Sequence, residues 1–321
     1  MMRSVAGGTG LSAFLRLAIA ATFAAMALPA VADPVYFPGD HWERRAPAAA
    51  GFDPAALEEA IRYAQQNEAP WERDVFKQIQ KDVANEPYPA ILGETRERGG
   101  PAGMIVRHGY LVAQWGDIDR VDMSFSVAKS YLSTVAGLAV DAGLIADVND
   151  RVADYLQDGG FDDSHNRKVT WHMLLNQTSE WEGTLWDKPD VADRRKGYDR
   201  KLQAPGTFWE YNDVRVNRLA LALLRVYQRP LPEVLKEKVM DPIGASDTWV
   251  WHGYLWWLSR NRRGIFPSAP ESSFFALGSG GNMIWIAPEY DLVVVTRWLD
   301  IPKLDGFITR LSAALQAETK N

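Results

Sequence analysis

Ser126-Val127-Ala128-Lys129-Ser130-Tyr131-Leu132-Ser133-Thr134-Val135-Ala136-Gly137-Leu138-Ala139-Val140 runs from a short polar start into an apolar segment. Leu132, Val135, Ala136, Ala139 and Val140 recur at helical spacing and fall on one side. The other side is small (Ala128, Ser133, Gly137), so the helix is expected to be buried on most faces, and Gly143 ends it. Ser126 and Lys129 stand one turn apart and project from the same face. Nowhere else in the chain does Lys follow Ser by three positions. A serine hydroxyl is a weak nucleophile until a base takes its proton. A partly desolvated lysine is able to lose its proton near neutral pH, and a helix start adds a positive field and free N–H groups. The alternative is a surface helix start with an ordinary lysine.

Upstream, Asp53 to Gln65 has a helical pattern, with Asp53 as N-cap and Pro54 at the first helical position. Met104–Arg107 and Tyr110–Trp115 are short β-prone runs joined by His108-Gly109, a hairpin turn. Downstream, Asn149-Asp150 leads into a short helix through Tyr155-Leu156, Val169–Leu175 starts another, and Val214–Val226 is a long apolar helix. Met283–Ile286 and Leu292–Arg297 return to strand, and Phe307, Ile308, Leu311 and Leu315 form one face of a last helix. Strands near both ends with helices between predict an α+β fold. In it, an antiparallel sheet (about 100–116 and 276–298) is flanked by helices and carries an inserted all-α region (about 126–250).

Two further stretches bear on chemistry. In Pro205-Gly206-Thr207-Phe208-Trp209-Glu210-Tyr211-Asn212-Asp213, a loop tyrosine is able to reach a cleft and shuttle a proton; the alternative is a packing Tyr. In Ala276-Leu277-Gly278-Ser279-Gly280-Gly281-Asn282, glycines beside a strand allow close approach of a substrate. A backbone N–H there pairs with that of Ser126 as an oxyanion hole, or the stretch is a plain turn.

Composition sets the limits. The chain is 47% hydrophobic and 24% charged with net charge −6, and no basic block with interleaved aromatics suggests a nucleic-acid partner. With no cysteine, disulfides and thiolate catalysis are excluded, and the five histidines lack the spacing of a helical metal pair, so no metal is expected. Of thirteen tryptophans, Trp171, Trp181 and Trp186 are candidates for lining a substrate cleft, the alternative being core. Arg3 and Arg16, the apolar Leu17–Leu28 run and Ala30-Val31-Ala32 read as a signal peptide over 1–32, cleaved near Ala32. The expected mature domain is 33–321, periplasmic or secreted, with no stable membrane insertion.

Met123-Ser124-Phe125-Ser126-Val127-Ala128-Lys129-Ser130, Gly143-Leu144-Ile145-Ala146-Asp147-Val148 and Leu174-Leu175-Asn176-Gln177-Thr178-Ser179 join the second and third stretches in an order that resembles a known superfamily. It is that of the β-lactamase-like, penicillin-recognising serine hydrolases: class C β-lactamases, D-Ala carboxypeptidases, family VIII esterases and 6-aminohexanoate-dimer hydrolases. The resemblance runs from about Gly51 to about Leu311. It implies acyl-enzyme chemistry on a small amide or ester, without a cofactor. By position it implies Ser126 as nucleophile, Lys129 as base or relay and Tyr211 as the second-motif tyrosine. The backbone N–H groups of Ser126 and Ser279 would form the oxyanion hole. Asp213, Trp181, Trp186, Gly278 and Asn282 are the expected substrate-binding positions.

Three departures stand out. Asp213 occupies the place of the usual Asn in Tyr-x-Asn. Ala276-Leu277-Gly278 replaces a third motif that often begins with Lys or His, which points away from β-lactams. The stretch from Tyr211 to Gly278 is short, as though two family segments were joined across a deletion where Trp251-His252-Gly253-Tyr254 meets Leu255-Trp256-Trp257-Leu258. A non-catalytic binding protein and a D-Ala peptidase or β-lactamase are the other readings.

Overall fold

The computed structural model describes residues 36–39, 41–85, 89–91, 93–194, 200–245, 256–259 and 265–316. The expected signal segment, 1–32, lies outside them, as does the expected junction at 251–255. Among the described residues the helices are α1 (Pro54–Gln66), α2 (Val75–Asp82), α3 (Ala128–Asp141), α4 (Trp171–Leu175), α5 (Asp213–Tyr227), α6 (Leu231–Leu235) and α7 (Leu304–Ala314). The strands are β1 (Ala102–Arg107), β2 (Tyr110–Trp115), β3 (Thr184–Leu185), β4 (Lys188–Pro189), β5 (Trp257–Leu258), β6 (Phe274–Gly278), β7 (Asn282–Ala287) and β8 (Leu292–Arg297).

Six strands form one antiparallel sheet in the order β2-β1-β8-β7-β6-β5. The N-terminal hairpin thus pairs with the C-terminal strand, as the sequence pattern predicts. His108 and Gly109 turn that hairpin with φ of 52° and 80°. β3 and β4 pair separately. Side chains alternate across the strands, so Phe275, Met283, Trp285, Val294 and Ile105 share one face. That face packs with Leu57 and Ala60 of α1 and Phe307, Ile308 and Leu311 of α7 into one core. Asp53 caps α1, accepting from the Ala56 N–H at 2.8 Å.

A second core lies in the helical block and joins Leu132, Val135 and Ala139 of α3 to Leu219, Ala222 and Leu223 of α5, with Trp171 and Leu235. One boundary differs from expectation. The α-helix starts at Ala128, and Phe125–Val127 form a 3-10 turn before it, so Ser126 stands on that turn and not in the helix. Phe125 takes φ 48°, a left-handed conformation a bulky residue adopts only under constraint. This kink starts the regular helix two residues later than the sequence pattern.

Candidate active site

Gly278 ends β6 against that turn. The alternation that sends Phe275 and Leu277 to the α1/α7 side turns Ala276 and Gly278 the other way, and a Cβ on Gly278 would overlap the Ser124 carbonyl. Only glycine lets strand and turn approach so closely. The result is a cleft of about 630 Å³ bordered by Ser126, Tyr211, Asp213, Leu277, Gly278 and Ser279. Asn282 is buried at the start of β7, where its amide donates to the Ser279 carbonyl at 2.7 Å. It holds the glycine loop and does not border the cleft, which corrects its expected place as a substrate contact.

Lys129 is buried on the first turn of α3, and its Nζ donates to Ser126 Oγ at 2.7 Å. The Tyr211 hydroxyl donates to the same oxygen at 2.9 Å. Lys129 Nζ also lies 2.6 Å from Asp213 Oδ1 and 4.6 Å from the Tyr211 ring centroid. Burial works to lower the Lys129 pKa, but Asp213 and then Tyr211 outweigh it, so the ammonium titrates above the ordinary lysine value. Burial first, and the Asp213 carboxylate second, push the Tyr211 phenol above its usual value, with Lys129 and Ser126 pulling partly back. At neutral pH the resting site therefore holds a charged Lys129 and a neutral Tyr211, both aimed at Ser126 Oγ.

Tyr211 and Asp213 are held from behind by Asn212. Its side chain accepts from the Arg215 N–H at 3.1 Å, so Asn212, not Asp213, is the N-cap of α5. Its own N–H donates to Gln177 Oε1 at 3.2 Å, and its amide donates to the Asp190 carbonyl at 2.9 Å. Arg215, in the next turn, is buried with Glu180 at 2.7 Å and Asp190 at 3.1 Å. Arg200 joins Glu180 at 2.8 Å and Glu210 at 2.6 Å, and Arg194 meets Asp190 at 2.9 Å. This buried ion cluster anchors the loop that carries Tyr211, and the sequence pattern did not reveal it because its members are remote in the chain.

The expected cleft tryptophans are elsewhere. Trp181 is buried in the helical block; its indole N–H donates to the Gly160 carbonyl at 2.6 Å and its carbonyl accepts from Arg215. Trp171 is also core, edge-on to Tyr155 at 5.7 Å. Trp186 stands exposed on the turn between β3 and β4 and is not among the residues that border the cleft. The indole that borders the Ser126 cleft is instead Trp257, stacked on Tyr211 at 5.8 Å, and Trp209 lies behind it, edge-on to Trp257 at 6.2 Å. Trp209 carries a readable signal, since at two positions before Tyr211 in extended chain it shares that residue's side.

A protein-family model described as Beta-lactamase matches residues 91–253, just over half of the chain. The chain belongs to the β-lactamase family. Solved structures of similar fold include a class C β-lactamase (10% identity, TM-score 0.54, 81% of this chain and 99% of that one). A second class C β-lactamase matches at 10% identity and TM-score 0.52, covering 82% of this chain and 98% of its own. EstCE1, a hydrolase with promiscuous acyltransferase activity, matches at 12% identity and TM-score 0.50, covering 82% of this chain and all of its own. No match to a curated protein was found.

Proposed function

We propose that the chain is an exported serine hydrolase that cleaves a small amide or ester through an acyl-enzyme intermediate. The observation that carries this reading is the convergence of Lys129 Nζ and Tyr211 OH on Ser126 Oγ, at 2.7 Å and 2.9 Å. Lys129 becomes a base once its extra proton leaves through Asp213, which is open to water. It then takes the Ser126 proton as Oγ bonds to the substrate carbonyl carbon. The oxyanion so formed accepts from the Ser126 and Ser279 backbone N–H groups. As the bond to the leaving oxygen or nitrogen breaks, Tyr211 gives that atom its phenolic proton and regains one from Lys129. Water attacks the acyl-serine by the same path in reverse, releasing the acid and restoring Ser126.

Ala276 and Leu277 stand where β-lactam-binding relatives often carry a motif beginning with Lys or His, so β-lactams are the disfavoured substrates. Export is supported by the basic start, the Leu17–Leu28 run and Ala30-Val31-Ala32. Among the described residues no helix is long and apolar enough to cross a membrane. The deciding experiment is a panel of acyl esters with wild type and Ser126→Ala, together with fluorophosphonate labelling. Hydrolysis and labelling are expected for wild type and neither for Ser126→Ala, while equal activity of the two proteins sinks the assignment.

A further inference from the structure

Beyond Tyr211 the cleft opens into a second lobe of about 410 Å³, a size typical of small-molecule sites. Leu175, Gln177, Trp209, Trp256, Trp257 and Leu258 line it, and Tyr211 and Trp257 belong to both lobes. Trp209 is 54% exposed and Leu258 57% exposed, so two large apolar side chains are held open to water in the lobe that shares Tyr211 and Trp257 with the Ser126 cleft. Single exposed hydrophobes are ordinary, but a contiguous set adjoining the cleft of the candidate nucleophile is not. These residues are fixed from behind. Trp257 and Leu258 form β5 and pair with Phe275 and Phe274, and Trp256 is edge-on to Phe274 at 5.2 Å.

The shape of the lobe selects its occupant. The Trp209 and Trp257 rings meet at 69° with centroids 6.2 Å apart, which makes a corner of two indoles. A planar ring placed in such a corner stacks on one indole and meets the other edge-on, the two arrangements that aromatic pairs favour. A flexible alkyl chain gains neither. The position of Tyr211 then says which part of the substrate enters. Its hydroxyl faces Ser126 Oγ at 2.9 Å, so the leaving atom must come to Tyr211 to receive a proton. A group attached to that atom continues past the Tyr211 ring into the tryptophan corner. The acyl side faces the other lobe, beside Leu277, Ile265 and Ile301.

We propose that this lobe binds an aromatic ring on the leaving group, which makes arylalkyl esters and amides the preferred substrate class. The inference rests on the serine-hydrolase reading for its chemistry but not for its binding site. Its test compares kcat/KM for benzyl butanoate and ethyl butanoate in wild type, Trp209→Ala and Trp209→Phe. Ethyl 4-phenylbutanoate, with the ring on the acyl side, serves as the third substrate. Wild type is expected to favour the benzyl over the ethyl ester, and Trp209→Ala to reduce that ratio about tenfold, the loss of roughly one aromatic contact. Trp209→Phe keeps most of the ratio, which a general loss of structure does not explain. An unchanged ratio in Trp209→Ala, or an equal loss on ethyl 4-phenylbutanoate, overturns the proposal. Calorimetric binding of benzyl butanoate to Ser126→Ala, with and without Trp209→Ala, needs no catalysis. If wild type hydrolyses no ester, the hydrolase reading fails, and Trp209-dependent binding still supports the lobe. Absent or Trp209-independent binding overturns it.

Discussion

The Phe125 ring lies edge-on to Trp298, with centroids 6.2 Å apart and planes at 84°. Phe125 immediately precedes Ser126 and holds φ 48°, a conformation that costs on the order of 1–3 kcal/mol and persists only where neighbours enforce it. Trp71, edge-on at 5.3 Å, closes the other contact. Trp298 also lies under the glycine loop, where a Cβ on Gly280 would overlap its ring, and its indole donates to Asp122 at 2.8 Å. One buried indole thus touches the neighbours of both backbone groups proposed for the oxyanion hole.

Trp298→Leu is therefore expected to lower kcat on an ester such as ethyl butanoate by ten- to a hundredfold with KM changed much less, since small misplacement of reacting groups is costly. It should also lose roughly 3 kcal/mol of stability from the cavity. A variant that is less stable in urea but keeps its kcat would show that Trp298 supports the fold and does not position the site.

The proposed mechanism gives Lys129 proton transfer as well as charge. Lys129→Arg keeps a cation that does not deprotonate near neutral pH, so it should fail to restore the activity lost in Lys129→Ala. Both variants are expected to lose a hundredfold or more in the rate of acylation, followed by fluorophosphonate labelling of Ser126. An Arg variant within a few-fold of wild type would mean that positive charge alone suffices at this position.

Arg215 sits among Glu180, Asp190 and Glu210 with almost no exposure. Removing one partner from a buried cluster leaves uncompensated charge, so Arg215→Met should cost about 3–5 kcal/mol in urea unfolding. The same cluster sets an acid limit. Burial alone raises the Glu180 pKa, but Arg200, the Gln203 N–H and Arg215 outweigh it and hold the carboxyl at about 2, against an ordinary 4.5. A depressed folded pKa contributes stability that is complete above the ordinary value and is lost as pH falls through the folded one. Wild type should lose stability steeply between about pH 4.5 and pH 2. Glu180→Gln, less stable at neutral pH, should show a shallower slope in that window. Equal slopes would show that other carboxylates govern acid unfolding.

What is legible in the sequence is local. The Asp53 cap, the His108-Gly109 turn and the apolar spacing of α3 each depend on residues a few positions apart, and the structure has all three. Ser126 and Lys129 meet for the same reason, at one turn of separation. The order of strands and helices carried the fold class. The tryptophans misled because their number says nothing of which face they take: Trp181 packs under α5, whereas Trp257 reaches the cleft only through its pairing with Phe275. The Arg215 cluster joins residues from 180 to 215 through charge pairs that leave no periodic trace. The start of α3 was misplaced because apolar spacing does not register a left-handed residue at Phe125.

Asp213 offers the sharpest electrostatic test. Asn212 caps α5, and Asp213, the next residue, meets Lys129 at 2.6 Å. Its carboxylate is the leading influence holding the Lys129 ammonium above its ordinary pKa against the opposing effect of burial. Asp213→Asn replaces that charge by a neutral amide of nearly the same shape and leaves the cap in place. The Lys129 pKa should then fall, and the unprotonated amine should persist to lower pH. If Lys129 acts as the base, the acidic limb of the pH–rate profile moves to lower pH in the variant. Ester hydrolysis by wild type and Asp213→Asn, measured across the acid and neutral range, decides the matter. A limb that stays where it was would mean that Lys129 is not the group whose deprotonation starts the reaction, and the proton would have to leave Ser126 through Tyr211 alone.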